Sequence, residues 1–272
     1  MLLIIEALLL ILAALGQDHG DAVEGQIFPL DMAPNSVDDQ YKGCRKKMVN
    51  LVKTKYLKKE LSNSDDFRNA WERGEKNVTH KFVNIFSKLT KQHKIAIWVY
   101  TDPKSKIYVK FNNDTRNGKQ NYKDNTYKWY SLHFLLTDAI QILKKKQNRC
   151  FNTFRGTNVT FNGQVFTGIR FGSFTSSSNN SNVAKTFKTV SCFEIYTCEG
   201  ADITKYSRLR HEAEVLIPPY EMFNVTDVKN RTDQPDLWCD TVFMLNSTGT
   251  RSDLNCALFK KPTKTIKYYG VH

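Results

Sequence analysis

Tyr130–Gly156, YSLHFLLTDAIQILKKKQNRCFNTFRG, changes character midway, and that change decides the fold class. In its first part Leu132, Leu135, Leu136, Ala139, Ile142 and Leu143 recur at the i, i+3, i+4, i+7 spacing of one buried helix face. Lys144, Lys145 and Lys146 follow, where cations suit the negative end of a helix dipole. From Cys150 the chain turns to short strand patterns, beginning with Cys150–Arg155. Upstream, Asp38–Leu57 reads as a helix after an Asp-rich cap and Asp65–Lys76 as another, while Ile95–Tyr100 (IAIWVY) reads as a short buried strand. Downstream, strands are expected at Gly168–Phe174, Val190–Cys198, Ala213–Ile217 and Thr241–Asn246, with turns at Asn162-Gly163 and Ser178–Ser181. The class is α+β, with a helical part at about 27–148, a β part at about 149–262, and a ligand cleft expected between them.

The chain opens on MLLIIEALLLILAAL, an apolar run of leader length ahead of a polar stretch, so residues 1–16 read as a signal peptide and 17–272 as one domain. A short N-terminal anchor is the alternative, although the run falls short of the ~20 residues of a membrane span. Six cysteines in no C-x-x-C pair suit a disulfide-bonded chain rather than a zinc site. Sequons at Asn77, Asn113, Asn158, Asn179, Asn224, Asn230 and Asn246 fit a glycosylated extracellular surface. The polar, basic ending KKPTKTIKYYGVH leads to the expectation of a secreted protein without a membrane anchor.

The formal net charge of +13 raises the question of polyanionic partners. The lysines are scattered rather than interleaved with aromatics, so no nucleic-acid partner is expected and a solvated basic surface is the simpler reading. No phosphate loop, G-x-G-x-x-G turn, H-E-x-x-H pair or G-x-S-x-G elbow occurs, and the six histidines are dispersed, so no metal is expected.

Three local features carry chemistry. Arg155 ends a strand in TFRG, and the following Gly156 lets a ligand approach the backbone. Phe171–Ser178, FGSFTSSS, places hydroxyls directly after an apolar strand. Glu212 and Glu214 stand two apart at the mouth of a strand, where an extended backbone would turn both carboxylates to one side. Such a pair resists double ionisation and titrates as a unit. Each feature alone has a bland reading: an ordinary ion-pair arginine, a solvated turn, a polar strand edge.

Together they resemble the arginine–serine–glutamate triad of cholera-toxin-like ADP-ribosyltransferases, and more closely the vertebrate ecto-ADP-ribosyltransferases. The similarity runs over nearly all of the chain beyond its leader. It passes through LDMAPNSVDDQYKGC (Leu30–Cys44), AIWVYT (Ala96–Thr101), LHFLLTDAIQIL, FRGT around Arg155, RFGSFTSSS from Arg170 and EAEVLIPPYEMF from Glu212. The resemblance implies a helical part packed on a C-terminal β-sandwich with the NAD cleft between them. It also implies a monomer that uses NAD as co-substrate, with no prosthetic group, and acts on arginine-containing proteins.

By that resemblance Arg155 grips the NAD phosphates, where a planar guanidinium matches phosphate oxygens. Ser176 holds the catalytic glutamate, Glu214 stabilises the oxocarbenium ion formed as nicotinamide leaves, and Glu212 selects arginine as acceptor by taking its proton. Tyr100, Gly156, Ser173 and Ser207 line the dinucleotide site, and at Ser173 some relatives carry a longer Gln. The segment Tyr206–His211 meets the target protein. Bridges Cys44–Cys256 and Cys150–Cys198 are implied too, the first contributing ~4–5 kcal/mol in the chain-entropy account. Cys192 and Cys239 fall outside that pattern; the even cysteine count leads to the expectation that they pair. Two alternatives share the same donor residues: an NAD glycohydrolase, in which water replaces the acceptor, and an inactive binding protein on the same fold.

Overall fold

The computed structural model describes residues 27–78, 88–186 and 188–259, so the expected leader and its expected cleavage point, with residues 260–272, lie outside the described residues. After β1 (Ile27–Pro29), the helical part comprises α1 (Arg45–Leu51), a π-helical stretch Val52–Tyr56, α2 (Leu57–Asn63), α3 (Asp65–Val78), α4 (Lys91–Tyr100), α5 (Ile107–Asn117), α6 (Lys119–Lys123) and α7 (Tyr130–Gln147). The β part comprises β2 (Phe151–Thr157), β3 (Thr160–Asn162), β4 (Gly168–Ile169), β5 (Thr175–Ser178), the short helix α8 (Ser181–Ala184), β6 (Ser191–Thr197), β7 (Ala201–Asp202), β8 (Glu214–Ile217), β9 (Glu221–Asn230) and β10 (Thr241–Thr250).

The α+β division at Cys150 holds. Helix α7 ends where its lysines stand, and Asn148 closes it in the left-handed conformation at φ 46°. At its other end the buried Glu60 carboxylate accepts from the Ser131 N–H at 3.1 and 3.2 Å, so a side chain from α2 caps the helix. Ile95–Tyr100 is not a strand but the body of α4. Thr90 and His93 form a capping box that starts the helix, and every residue from Ile95 to Tyr100 is buried. Burial on all sides erases the 3.6 period, and an apolar run without a period reads as a strand.

Asp38 and Asp39 do not cap a helix, which begins only at Arg45 and, through the π stretch, runs on to Asn63. Their carboxylates are claimed by distant donors instead. Asp38 accepts from Arg170 at 2.6 Å and from the Leu254 N–H at 2.9 Å; Asp39 accepts from Tyr122 at 2.8 Å and the Cys256 N–H at 2.9 Å. Gly168–Phe174 supplies only the two-residue β4, because Arg170 turns away to bind the carbonyls of Met32, Ala33 and Arg251. Gly172 then takes φ +75°, with Ala33 so close that a Cβ would lie 2.6 Å from it.

The main sheet runs β4-β9-β10-β6-β2-β5-β8-β7, and β1 pairs separately with β3. Its five-stranded and three-stranded parts meet at a single residue pair, Phe154–Ser178 between β2 and β5. The five-stranded part packs on Ile169, Phe193, Phe223, Val225, Phe243 and Leu245. The three-stranded part turns to the helices: Leu216 of β8 joins the helical core, while Ile217 beside it joins the sheet core. Phe174 is the wedge between the layers, stacked on Phe111 of α5 at 5.4 Å and held by a hydrogen bond from the Tyr100 hydroxyl to its carbonyl at 3.1 Å.

Three disulfides are present, Cys44–Cys256, Cys150–Cys198 and Cys192–Cys239, with Cα separations of 5.9, 4.3 and 6.0 Å. Three bridges fit an oxidising, extracellular setting. Among the described residues no helix is long and apolar enough to cross a membrane.

Candidate active site

The seam between the two parts of the sheet gathers the polar residues. Arg155 on β2, Ser176 on β5 and Glu214 on β8 lie on neighbouring strands, all buried. Arg155 Nη1 donates to the Ser176 carbonyl at 2.7 Å, Ser176 Oγ donates to Glu214 Oε1 at 2.6 Å, and Ser207 Oγ approaches Glu214 Oε2 at 3.3 Å. The serine run is therefore no solvated turn. Ser177 and Ser178 are fully buried and donate to the carbonyls of Val215 and Glu212, at 2.9 and 2.7 Å, which fixes β8 and the turn before it.

The extended-segment reading of Glu212 and Glu214 fails in its detail. Glu212 closes a 3-10 turn, Arg210–Glu212, and Ala213 takes φ +48° before the strand begins at Glu214. A left-handed alanine costs ~1–2 kcal/mol. The Ser178 hydroxyl on the Glu212 carbonyl and the Asn179 N–H on the Ala213 carbonyl, at 3.1 Å, hold that bend. Both glutamates nonetheless line one small hollow, together with Tyr100, Thr101, Tyr108, Ser176 and Leu209.

Burial pushes both carboxyls up, to about 7 for Glu214 and about 8 for Glu212. The Ser176 and Ser207 hydroxyls and the Arg155 charge pull Glu214 back down, so it ionises first. Glu212 has no such help and also meets the Glu214 charge. Its Oε1 is buried without a hydrogen-bond partner, a place that an incoming donor would satisfy.

A larger cleft of about 420 Å³ is lined by Arg155 and Thr175 of the sheet, the Phe28–Asn35 segment, and Arg116 and Asn117 of α5, and Arg155 links it to the hollow through its hydrogen bond to the Ser176 carbonyl. Arg116, Arg155 and Arg170 border it, the last ion-paired with Asp38, and Asp31 is the one acid in the lining, so Arg116 and Arg155 make it suit an anionic group. The Ser173 hydroxyl is fully buried and accepts from Arg116 at 2.8 Å. Gly156 lines neither space. A Cβ there would collide with the Lys188 carbonyl, so the chain's own backbone requires glycine at this position. Sequence reasoning missed Arg116 and Tyr108 because it missed α5, although Ile107, Phe111 and Thr115 of that helix recur at i, i+4 spacing and are buried. Among the described residues no group of three or more side chains could hold a metal ion.

The family model for NAD:arginine ADP-ribosyltransferases matches residues 30–244. The chain is 35% identical over 237 residues to NAD(P)(+)--arginine ADP-ribosyltransferase 2 of Gallus gallus, covering 85% of this chain and 73% of that protein. It is 32% identical over 244 residues to ecto-ADP-ribosyltransferase 4 of Homo sapiens, covering 86% and 74%. Among solved structures, the eukaryotic mono-ADP-ribosyltransferase ART2.2 aligns with TM-score 0.71 and 29% identity, over 86% of this chain and all of that one. A mutant of ART2.2 in complex with NADH aligns with TM-score 0.72 and 30% identity, over the same shares. With the fold, the seam of buried arginine, serine and glutamate, and a family match over most of its length, the chain belongs to the NAD:arginine ADP-ribosyltransferase family.

Proposed function

We propose that this protein transfers ADP-ribose from NAD to the guanidinium of arginine residues in proteins, with release of nicotinamide. The observation that carries the reading is the arrangement of the two glutamates: Glu214 is fixed by Ser176 at 2.6 Å, and Glu212, one of whose carboxylate oxygens is buried without a partner, lines the same hollow. NAD supplies an anionic pyrophosphate suited to the arginine-bordered cleft and a nicotinamide ribose that reaches the hollow beside Ser176 and Glu214. There the bond between ribose C1′ and the pyridinium nitrogen breaks, and its electron pair leaves with nicotinamide. The ionised Glu214 stabilises the positive charge that grows on the ribose, a contribution of ~3 kcal/mol for one preorganised group. A guanidinium nitrogen then bonds to C1′ and its proton passes to Glu212. Since an arginine side chain has a pKa above ~12, it is nucleophilic only when a base takes that proton during attack.

Tyr100 lines the same hollow, and Ser207 acts through Glu214. The protein is secreted and glycosylated in this reading, supported by the three disulfides and by six of the seven sequon asparagines being exposed, with Asn224 half-buried. Incubation of the purified protein with NAD and a small guanidino compound tests the activity. An ADP-ribosyl-guanidino adduct is expected, whereas free ADP-ribose without adduct would mark a glycohydrolase, and neither product an inactive protein.

A further inference from the structure

Two exposed segments frame the hollow that holds Glu212 and Glu214. Thr101 and Tyr108 line it, and the turn between them carries Lys104 and Lys106, both exposed. On the second segment Ser207, which touches Glu214, and the lining residue Leu209 alternate with Arg208 and Arg210, which are exposed, as is Lys205. A hydrogen bond from the Arg208 N–H to Thr101 Oγ1 at 2.8 Å ties the two segments together. The Arg208 guanidinium lies 6.0 Å from the Trp98 ring, which favours keeping this charge at the rim. Outside the hollow the two segments contain one acid, Asp102, and it is buried against Arg73 at 3.0 Å.

We infer that this basic rim selects target arginines set among aspartates and glutamates, so that the preferred acceptor is an acidic protein segment. The inference rests on the arginine-transfer reading above and specifies its acceptor. A target arginine carries a positive charge and has to pass between the lysines and arginines of the two segments. Acidic neighbours on the same segment pair with those rim cations and offset the repulsion, whereas basic neighbours add to it. Complementary fields of this kind change association rates by ~10–1,000-fold and weaken with salt, since the screening length is ~8 Å at physiological ionic strength.

The test uses three peptides of equal length, each with one arginine flanked by aspartates, serines or lysines, and measures transfer kcat/KM at saturating NAD. At low salt the aspartate-flanked peptide is expected to exceed the lysine-flanked one by about tenfold or more, with the serine peptide between them. At about 0.5 M salt the ratio is expected to shrink several-fold. The double variant Lys104→Glu/Lys106→Glu should narrow the ratio while leaving NAD hydrolysis without acceptor unchanged, which also reports that it folds. Equal rates on the three peptides, a preference for lysine flanks, or a ratio insensitive to both salt and the double variant would overturn the inference. A small guanidino compound, run in parallel, separates the two failures. Its modification with no peptide preference leaves the transferase reading standing, whereas no modification of any guanidine sinks that reading itself.

Discussion

Replacing Glu212 by Gln should stabilise the protein progressively as pH rises, at the expense of its activity. Glu212 is 2% exposed, one of its oxygens has no partner, and burial beside Glu214 lifts its pKa from 4.5 to about 8. Between those two values the folded protein holds a proton that the unfolded chain releases. The raised pKa therefore favours folding fully below 4.5, and this contribution is lost as pH climbs toward about 8. At 1.36 kcal/mol per pKa unit, the loss between pH 6 and pH 8 is about 2 kcal/mol. Gln does not titrate, so the stability of Glu212→Gln relative to the parent should grow by about 2 kcal/mol over that interval. Urea unfolding of both proteins at pH 6, 7 and 8, with disulfides intact, measures the gap, since their other titrating groups are shared. A gap that stays constant or narrows with pH would show that burial does not raise the Glu212 carboxyl in this way.

The remaining expectations concern chemistry, bridges and processing. Because Glu214 and Glu212 have pKa values raised to about 7 and about 8 and act as anions, activity should climb with pH from 6 to 8, hydrolysis reaching its plateau before transfer; a profile falling over this range contradicts those roles. Non-reducing peptide mapping should recover Cys192 joined to Cys239, and replacing both by Ala should cost about 4 kcal/mol in the chain-entropy account for a loop of 47 residues; alkylation of either cysteine in the parent refutes the pairing. Expression in a secretory cell should release a protein that starts near Gln17 and gains mobility on glycosidase treatment, whereas uncleaved protein held in the membrane fraction would refute secretion.

Much of this was legible in the chain because local pattern and local structure agree. The long helix ending at Lys144–Lys146 declares itself by its period, and the strands near Cys150–Arg155, Val190–Cys198 and Thr241–Asn246 by short strand patterns, whereas Thr175–Ser178 and Glu221–Asn230 are strands that the pattern does not single out. The pattern fails where a residue answers to a distant partner. Asp38 and Asp39 look like a helix cap but bind Leu254 and Cys256, more than two hundred residues away. Gly156 is required by the Lys188 carbonyl packed against it, a partner that no local pattern reveals. IAIWVY misleads for the opposite reason, since a helix buried on every side shows no amphipathic stripe. At the site, the spacing of Glu212 and Glu214 correctly suggested a shared pocket, but by a route that the structure does not take. The left-handed Ala213 and the buried serines bring the carboxylates together, and neither is visible in a two-residue period.

The central claim is a division of labour between these two acids, and one assay reads it: NAD hydrolysis and guanidine transfer measured side by side for Glu214→Gln and Glu212→Gln. Departure of nicotinamide is common to both reactions, so Glu214→Gln, which keeps size but removes the stabilising charge, should lower both by at least ~100-fold. Deprotonation of the acceptor belongs to transfer alone, so Glu212→Gln should lower transfer by ~100-fold and leave substantial hydrolysis. Equal suppression of both activities by Glu212→Gln, or small and similar effects from the two substitutions, would contradict the account.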